Sequence, residues 1–230
     1  MKLGGIMKTT LLDYPGKIAC TVFTKGCNLR CPFCHNSSLV IPERFSNEEY
    51  SEEEFFSFLK KRSGILDGVV VSGGEPTIQP DIFDFLFKIK QMGYSVKLDT
   101  NGTAPEKIKE ILQGGLVDYI AMDIKNSREK YAVTSGGNIL HKVEESIFAI
   151  MSSEIEYEFR TTSVAELHEI SDFFSIGKWI KGAKKYFIQA YNDSGDILST
   201  LPFSAPSDSM LTAFLAAVRE NVPTAELRGV

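Results

Sequence analysis

The stretch KGCNLRCPFCHN (25–36) holds three of the four cysteines of this 230-residue chain, in the spacing C-x3-C-x2-C. Thiolates bind zinc and iron–sulfur clusters, and such clusters are usually held by four of them. Three thiolates on one loop bind three irons of a 4Fe–4S cube and leave the fourth iron open, as catalytic metal sites keep an open position. Cys27, Cys31 and Cys34 are therefore interpreted as the ligands of an open-site cluster.

Other interpretations of the cysteines were weighed against this one. A zinc site would need His35 as fourth ligand, but adjacent side chains reach one ion with difficulty and the spacing matches no usual zinc finger. A redox pair of Cys31 and Cys34 leaves Cys27 unexplained. The fourth cysteine, Cys20, lies in the apolar run IACTVF. It is predicted to be a buried structural thiol, as free cysteines commonly are.

Composition and charge narrow the class of protein. Apolar residues make up 43% of the chain and charged residues 24%, which is typical of globular proteins, and the formal net charge is -5. That charge argues against nucleic acid or an anionic membrane as a partner. The N-terminal MKLGGIMKTT has no apolar run like that of a signal peptide, and no later stretch approaches transmembrane length. We expect a cytoplasmic protein, in which clustered cysteines are metal ligands or catalytic groups rather than disulfides.

Short β-rich apolar runs alternate along the chain with longer segments of helical periodicity. The runs are 17–23, 68–74, 95–102, 117–125, 155–162 and 184–191. Because they are nearly continuous in apolar residues, they fit parallel strands covered by helices. A full eight-unit barrel usually takes ~250 residues, so we predict an α/β fold with an incomplete (β/α)6 TIM-like barrel. We predict one domain over 1–230, with a core at about 17–191 and a C-terminal helical extension at about 207–230.

Two helical segments open on a hydroxyl residue with a glutamate three positions later. Ser51 with Glu54 and Thr103 with Glu106 have this arrangement. In a capping box the hydroxyl and the glutamate each accept a hydrogen bond from the backbone N–H of the other residue. Both pairs are therefore predicted to cap their helices.

One later segment, 166–180, shows apolar residues at helical spacing. Leu167, Ile170 and Phe174 recur in it at intervals of three and four. Residues at this spacing share one face of a helix, so these three are predicted to pack against the core. His168, in the same segment, is predicted to be a surface group.

Polar residues cluster at the C-terminal ends of the six runs. The cysteine loop follows the first run. The other candidates are Gly73, Gly74, Glu75, Asp99, Thr100, Asn101, Asp123, Lys125, Arg160 and Gln189. In α/β barrels this rim is where chemistry is assembled. Six polar strand ends in register therefore predict a functional site.

The residue types at this rim suit a charged ligand. Gly73 and Gly74 carry no side chain, so the backbone there can approach a ligand closely. The aspartates and the threonine place oxygens suited to a cation or to ligand hydroxyls, and Lys125 and Arg160 can neutralise a carboxylate. Gln189 can reach a ligand base or support the rim. Considered singly, each residue also has an ordinary interpretation as turn chemistry or as a strand ion pair.

These motifs together resemble the radical S-adenosylmethionine superfamily. The resemblance rests on C-x3-C-x2-C with the aromatic Phe33 before the last cysteine, and on the Gly-Gly-Glu-Pro strand end at 73–76. It covers essentially the whole chain. It implies that the cysteines hold one 4Fe–4S cluster whose open iron is chelated by the amino and carboxylate groups of S-adenosylmethionine. It also implies that one electron cleaves a carbon–sulfur bond to give methionine and a 5′-deoxyadenosyl radical, with Phe33 and the strand-end residues around the cofactors.

Further stretches resemble one group within that superfamily. They are 12–16 (LDYPG), 34–36 (CHN), 98–102 (LDTNG), 122–125 (MDIK) and 159–162 (FRTT). The group is the anaerobic ribonucleoside-triphosphate reductase activating proteins, close to the pyruvate formate-lyase activases. The resemblance implies that a glycine Cα hydrogen is abstracted on a partner glycyl radical enzyme, with a flavodoxin or ferredoxin-type electron donor. The similar pyruvate formate-lyase activases use the matching aspartates and threonine with a monovalent cation near the methionyl carboxylate, which makes that cation a candidate cofactor here.

Alternatives to this function stay open at the level of sequence. No cysteine follows Cys34, so the sequence has no ligands for auxiliary clusters. A small, undecorated core suits a substrate presented as a loop of another protein. The alternatives are an activase of a pyruvate formate-lyase-like enzyme, a radical enzyme acting on a small molecule such as a deazapurine precursor, and a non-catalytic iron–sulfur protein. The last has no need of the polar rim.

Overall fold

A single eight-stranded sheet, whose strand order follows the chain, forms the centre of the protein. It is seen in a computed structural model that describes residues 1–44, 50–193, 197–198 and 201–229. The strands β1 to β8 are Leu3–Thr10, Ala19–Thr24, Gly68–Gly73, Ser95–Thr100, Tyr119–Asp123, Glu156–Ser163, Tyr186–Ala190 and Ala225–Arg228. β1 pairs with β2 antiparallel, and each later pair is parallel. β1 and β8 do not pair with each other in this strand order, so the sheet is open.

Helices follow the parallel strands in the alternation that the sequence predicts. The helices α1 to α8 are Ser37–Val40, Glu52–Lys61, Ile82–Gln91, Pro105–Gln113, Tyr131–Ser135, Leu140–Met151, Ile170–Trp179 and Asp208–Arg219. Each of the six predicted runs coincides with one of the strands β2 to β7, although β2 and β6 each extend one residue beyond the run. The predicted incomplete TIM-like barrel is therefore confirmed, with β1 and β8 as additions. No helix within the described ranges combines the length and apolarity needed to cross a bilayer.

Strand alternation separates a helix-covered outer face from a polar inner face. On β3 and β4, Val71 and Leu98 are fully buried in the main apolar core, together with residues of the covering helices. Their neighbours in the chain, Ser72 and Asp99, instead hydrogen-bond to each other, Oγ to Oδ2 at 3.0 Å. Successive side chains of a strand point to opposite faces. The same pattern that builds the core thus collects polar groups inside the barrel.

The two predicted capping boxes have different outcomes. At α2 the prediction is confirmed, because Ser51 Oγ accepts from Glu54 N at 3.1 Å and Glu54 Oε2 accepts from Ser51 N at 2.8 Å. At α4 it is wrong, since Ala104 is the N-cap and no side chain caps it. Thr103 Oγ1 donates instead to Asn101 Oδ1 at 2.6 Å. The same oxygen accepts from Asn28 Nδ2 at 2.8 Å, so its acceptor position is used by a side chain rather than by the backbone N–H of Glu106.

The predicted core face of the helix at 166–180 is also corrected. The helix, α7, begins at Ile170, and its fully buried apolar residues include Phe173 and Ile176. Ile170 is 54% exposed. The preceding residues form a turn in which Leu167 N donates to Val164 O at 3.2 Å. Leu167 and Phe174 are partly buried and pack against apolar clusters, so the correction concerns Ile170 and the start of the helix.

The C-terminal segment is held to the barrel by an ion pair whose carboxylate is buried. The predicted helical extension contains α8 and also the short strand β8. Arg228 on β8 donates from Nη1 and Nη2 to the two oxygens of Glu158, at 2.6 and 2.9 Å. Tyr119 Oη adds a third hydrogen bond to Glu158 Oε2, at 2.9 Å, and Glu158 is fully buried. Burial opposes ionisation, but the bonds and charge of Arg228 outweigh it and lower the pKa of Glu158.

This ion pair predicts an acid-sensitive contribution to stability. The unfolded pKa of glutamate is about 4.3, and the folded pKa of Glu158 lies below its ordinary value, so its stabilisation is full above about pH 4.3. It is lost as the pH falls through the folded pKa. Glu158→Gln should therefore lower the free energy of unfolding by about 2–4 kcal/mol at pH 7 and flatten its decline below pH 5. Urea unfolding between pH 3 and pH 7 measures both effects.

Exposed Glu226 on the same strand β8 provides the control. Glu226→Gln should change the free energy of unfolding by less than about 0.5 kcal/mol and leave its pH profile parallel to the parent. Identical acid limbs for Glu158→Gln and the parent protein would contradict the assignment.

Candidate functional site

A cavity that is open to solvent lies at the C-terminal ends of the parallel strands. All the predicted site residues except Gln189 line it: Cys27, Cys31, Phe33, Cys34, Gly73, Gly74, Glu75, Asp99, Thr100, Asn101, Asp123, Lys125 and Arg160. Gln189 lines a neighbouring hollow of about 440 Å³ together with Asn192, and His35 and Thr162 border both. The structure thus brings residues from five parts of the chain to one cavity, and Gln189 to the hollow beside it.

The three cysteines of the loop lie among apolar side chains and a few N–H donors. Cys31 belongs to an apolar cluster with Leu29 and Phe33, against which Cys27 and Cys34 pack. Burial raises the pKa of the Cys27 thiol to about 11, and it also raises the pKa of the Cys31 thiol. Bound metal reverses this tendency, because it takes the thiol in its deprotonated form.

Hydrogen-bond donors approach the Cys27 sulfur. Leu29 N donates to Cys27 Sγ at 3.4 Å, and Asn101 Nδ2 donates to the same sulfur at 3.8 Å. Such donors stabilise a thiolate, so the donor chemistry of the loop fits a thiolate-bound cluster. Within the described part of the chain, no three or more Cys, His, Asp or Glu side chains are grouped so that they could hold a single metal ion. A cluster uses one thiolate for each iron instead.

Gly73 and Gly74 allow strand β3 to end directly against the cysteine loop. A Cβ on Gly74 would stand 2.1 Å from Gly26 O, and one on Gly73 would stand 2.3 Å from Thr24 N. Gly73 also has a φ of +118°. Glu75 N donates to Gly26 O at 2.9 Å across the same contact. These glycines are therefore needed for the close backbone packing of β3 against the end of β2 and the start of the cysteine loop, and they also line the cavity.

Glu75 is fully engaged by the protein itself. Its Oε1 accepts from Thr77 N, Thr77 Oγ1 and Thr100 Oγ1 at 3.0, 2.5 and 2.8 Å, and its Oε2 accepts from Asn101 N at 2.6 Å. Burial raises its pKa, and these hydrogen bonds oppose that rise. The carboxylate ties the end of β3 to the end of β4. Glu75 thus has a structural role at the rim, where it holds Thr100 and Asn101 in place.

Charged side chains of alternating sign cross the rim from β4 to β6. Asp99 Oδ1 accepts from Lys97 Nζ at 2.6 Å, and its Oδ2 is 3.2 Å from Arg160 Nη2. Asp123 Oδ1 accepts from Arg160 Nε at 2.5 Å, and its Oδ2 accepts from Lys125 Nζ at 2.7 Å. Burial opposes the charge on both aspartates, but Arg160 above all lowers the pKa of each.

Lys97 was not predicted as a site residue. It is 2% exposed, and within an apolar strand a single lysine gives little signal. Its position two residues before Asp99 on β4 places both side chains on the same face of the strand. That spacing is the one feature of the sequence that indicates the pair.

His168 is buried, so its prediction as a surface group was wrong. Its ring is 1% exposed, and Nδ1 lies 3.1 Å from Val164 N. Because that N–H donates to Nδ1, the proton is assigned to Nε2, which donates to Lys125 O at 3.0 Å. Burial lowers the pKa of His168, which keeps the ring neutral. The histidine therefore holds the backbone of Lys125 at the end of β5.

Comparison with known proteins agrees with this arrangement. The family profile described as the Radical SAM superfamily matches residues 21–163. A putative glycyl-radical enzyme activating enzyme of Methanocaldococcus jannaschii is 34% identical over 197 residues, which cover 82% of this chain and 79% of that protein. The pyruvate formate-lyase-activating enzyme of Clostridium pasteurianum is 33% identical over 133 residues, 54% of this chain and 52% of that one. A probable GTP 3′,8-cyclase of Pyrococcus horikoshii is 34% identical over 54% of this chain, and the match spans only 39% of the cyclase.

Solved structures share the fold at low sequence identity. A domain of pyruvate-formate lyase-activating enzyme from Bacteroides vulgatus has a TM-score of 0.59 at 15% identity, covering 70% of this chain and 99% of that one. Streptococcus suis SuiB bound to S-adenosylmethionine has a TM-score of 0.70 at 11% identity, covering 90% of this chain and 49% of that one. At such identities the likeness concerns the fold alone.

Proposed function

Because this chain belongs to the radical S-adenosylmethionine superfamily, as a relative of its glycyl-radical-enzyme activating enzymes, we propose that it installs a glycyl radical on a partner enzyme. In this reaction a one-electron reduction cleaves S-adenosylmethionine, and the resulting radical takes the hydrogen atom from a glycine Cα of the partner. The products are methionine, 5′-deoxyadenosine and the glycyl radical. The proposed partner is anaerobic ribonucleoside-triphosphate reductase, with a flavodoxin or ferredoxin-type electron donor in the cytoplasm.

One observation carries the proposal: the cavity brings the cysteine loop and the charged strand ends to the same rim. Cys27, Cys31 and Cys34 would hold the cluster, which when bound supplies the electron for carbon–sulfur cleavage. The charged network, with Lys125 and Arg160 at the cavity, would bind the methionyl carboxylate of S-adenosylmethionine. The side chains of the rim thereby orient the sulfonium compound beside the cluster.

The similarity to known relatives supports a protein as the partner. Similarity to a glycyl-radical enzyme activating enzyme extends over 82% of this chain, whereas similarity to the cyclase covers 54%. A partner protein that inserts its glycine loop at the strand ends would complete the site. An activase of a pyruvate formate-lyase-like enzyme is the second candidate, favoured by the similarity to the Clostridium pasteurianum protein.

Electron paramagnetic resonance on candidate partners tests the proposal. The cluster-loaded protein is incubated anaerobically with reductant, S-adenosylmethionine and either a ribonucleoside-triphosphate reductase or a pyruvate formate-lyase. A glycyl-radical doublet on the reductase, lost when the target glycine is replaced by alanine, is the expected result. A doublet on the lyase alone identifies the second candidate. Release of 5′-deoxyadenosine with neither protein forming a radical would contradict activation of these enzymes.

A further inference from the structure

We propose that the guanidinium of Arg160 stands where the resemblance to pyruvate formate-lyase activases implies a monovalent cation, so that this chain binds S-adenosylmethionine without such an ion. The residues present do not fit the cation. The inference rests on the proposed function only in that S-adenosylmethionine is the ligand of this cavity. It assigns the cation's role to a side chain.

The guanidinium of Arg160 lies between the two aspartates of the expected ion site. Arg160 Nε donates to Asp123 Oδ1 at 2.5 Å, and Arg160 Nη2 lies 3.2 Å from Asp99 Oδ2. One guanidinium therefore bridges the two carboxylates that would otherwise share an ion. Asp123 and Arg160 are paired residues of β5 and β6, so backbone register holds the bridge in place.

The other oxygens of the expected ion site already have hydrogen-bond partners within the protein. Asp99 Oδ1 accepts from Lys97 Nζ at 2.6 Å, and Asp123 Oδ2 accepts from Lys125 Nζ at 2.7 Å. The hydroxyl of Thr100 donates to Glu75 Oε1 at 2.8 Å and accepts from Gly102 N at 3.1 Å. An added cation would have to displace protein donors from these oxygens.

The charges of the rim side chains also disfavour an added cation. The interacting groups are the cations Lys97, Lys125 and Arg160 and the anions Asp99 and Asp123. These five side chains carry one more positive than negative charge, and the Glu75 carboxylate, whose hydrogen bonds come from Thr77, Thr100 and Asn101, lines the same cavity. Glu158 is paired with Arg228. Each aspartate of the network already faces two cationic side chains, so a monovalent cation would find no uncompensated aspartate there, whereas the α-carboxylate of an amino acid ligand would pair with Lys125 or Arg160.

Ion dependence of ligand binding tests the inference. S-adenosylmethionine binding to the cluster-loaded protein, without reductant so that no cleavage occurs, is measured by calorimetry in potassium, sodium or tetramethylammonium chloride at equal ionic strength. The parent protein should show dissociation constants within about twofold of one another. Arg160→Gln should bind at least about tenfold more weakly in tetramethylammonium, because two partly buried carboxylates lose their bridge. Potassium or sodium should restore part of that loss.

Two further variants keep the result interpretable. Arg160→Lys retains the charge and should stay independent of the ion. Arg128→Gln removes an exposed arginine that pairs with Glu144, and its binding should match the parent in all three salts. If Arg160→Gln does not fold, the parent and Arg160→Lys still give the comparison.

Sodium-23 resonance linewidths give a readout that needs neither ligand nor turnover. Arg160→Gln should bind sodium and so broaden the sodium signal, and potassium should reverse that broadening. The parent protein should show no such potassium-reversible broadening. Potassium-reversible broadening by the parent, or binding of S-adenosylmethionine to it that is more than about fivefold tighter in potassium or sodium, would overturn the inference. Failure of the parent to bind S-adenosylmethionine in every salt would instead count against the proposed function.

Discussion

Replacing Cys31 with alanine should reduce reductive cleavage of S-adenosylmethionine to background. Cys31 lies between the other two cysteines of the loop and is 8% exposed, within the apolar cluster that includes Leu29 and Phe33. With only two thiolates left, a second iron loses its protein ligand, and the described rim offers no further cysteine. We expect less iron and sulfide per chain after anaerobic reconstitution and no 5′-deoxyadenosine by chromatography.

The matched control is the fourth cysteine. Cys20 is fully buried in β2, and burial raises the pKa of its thiol to about 12. Cys20→Ala removes a thiol without burying a new polar group, so it should cost about 1 kcal/mol of stability and leave iron content and cleavage unchanged. Normal turnover by Cys31→Ala, or loss of the cluster in Cys20→Ala, would show that the ligands had been assigned to the wrong thiols.

Replacing Gly74 with alanine should damage both stability and cluster loading. The new Cβ would lie 2.1 Å from Gly26 O and 2.6 Å from Gly26 C, and these are backbone atoms that cannot rotate away. Because Gly26 immediately precedes Cys27, relief of the clash moves the cysteine loop. We expect a loss of about 2–4 kcal/mol in the free energy of unfolding, with reduced iron content after reconstitution. Urea unfolding and iron analysis measure the two effects.

Gly5→Ala separates this clash from a general effect of replacing glycine in a strand. Gly5 lies in β1, and a Cβ there would meet only Phe23 Cδ2, at an ordinary 3.7 Å. The substitution should change stability by less than about 1 kcal/mol and leave iron binding intact. Equal behaviour of the Gly74 and Gly5 variants would show that the close approach to the cysteine loop does not matter.

The strands at the centre of the barrel were predictable because their signal is local. Runs such as 68–74 and 117–125 are apolar almost throughout, as buried parallel strands are, and they contain β3 and β5. The edge strands gave no comparable signal. β1 has exposed and intermediate residues along most of its length, and β8 is four residues long with one fully buried residue. Strands of this kind form mainly because a neighbouring strand is present.

The position of His168 depended on a contact that no local pattern contains. His168 reaches the carbonyl of Lys125, 43 residues away in the chain. A charged or polar residue in an amphipathic segment is normally exposed, so the sequence favoured the surface. Burial became possible because other strands and loops supplied hydrogen-bond partners. Thr103 also has a distant partner, since Asn28 Nδ2, 75 residues earlier in the chain, donates to its hydroxyl at 2.8 Å.

The sequence alone determined the three clustered thiols, the βα alternation and the polar ends of the central strands. Spacing and periodicity are properties of neighbouring residues, so they can be read without the structure. Folding decided which of those polar ends meet. Asp123 and Arg160 are 37 residues apart in the chain and become hydrogen-bonded through strand pairing. Whether an aspartate binds an external ion or an internal arginine depends on that pairing, since charges interact according to distance in space rather than separation along the chain.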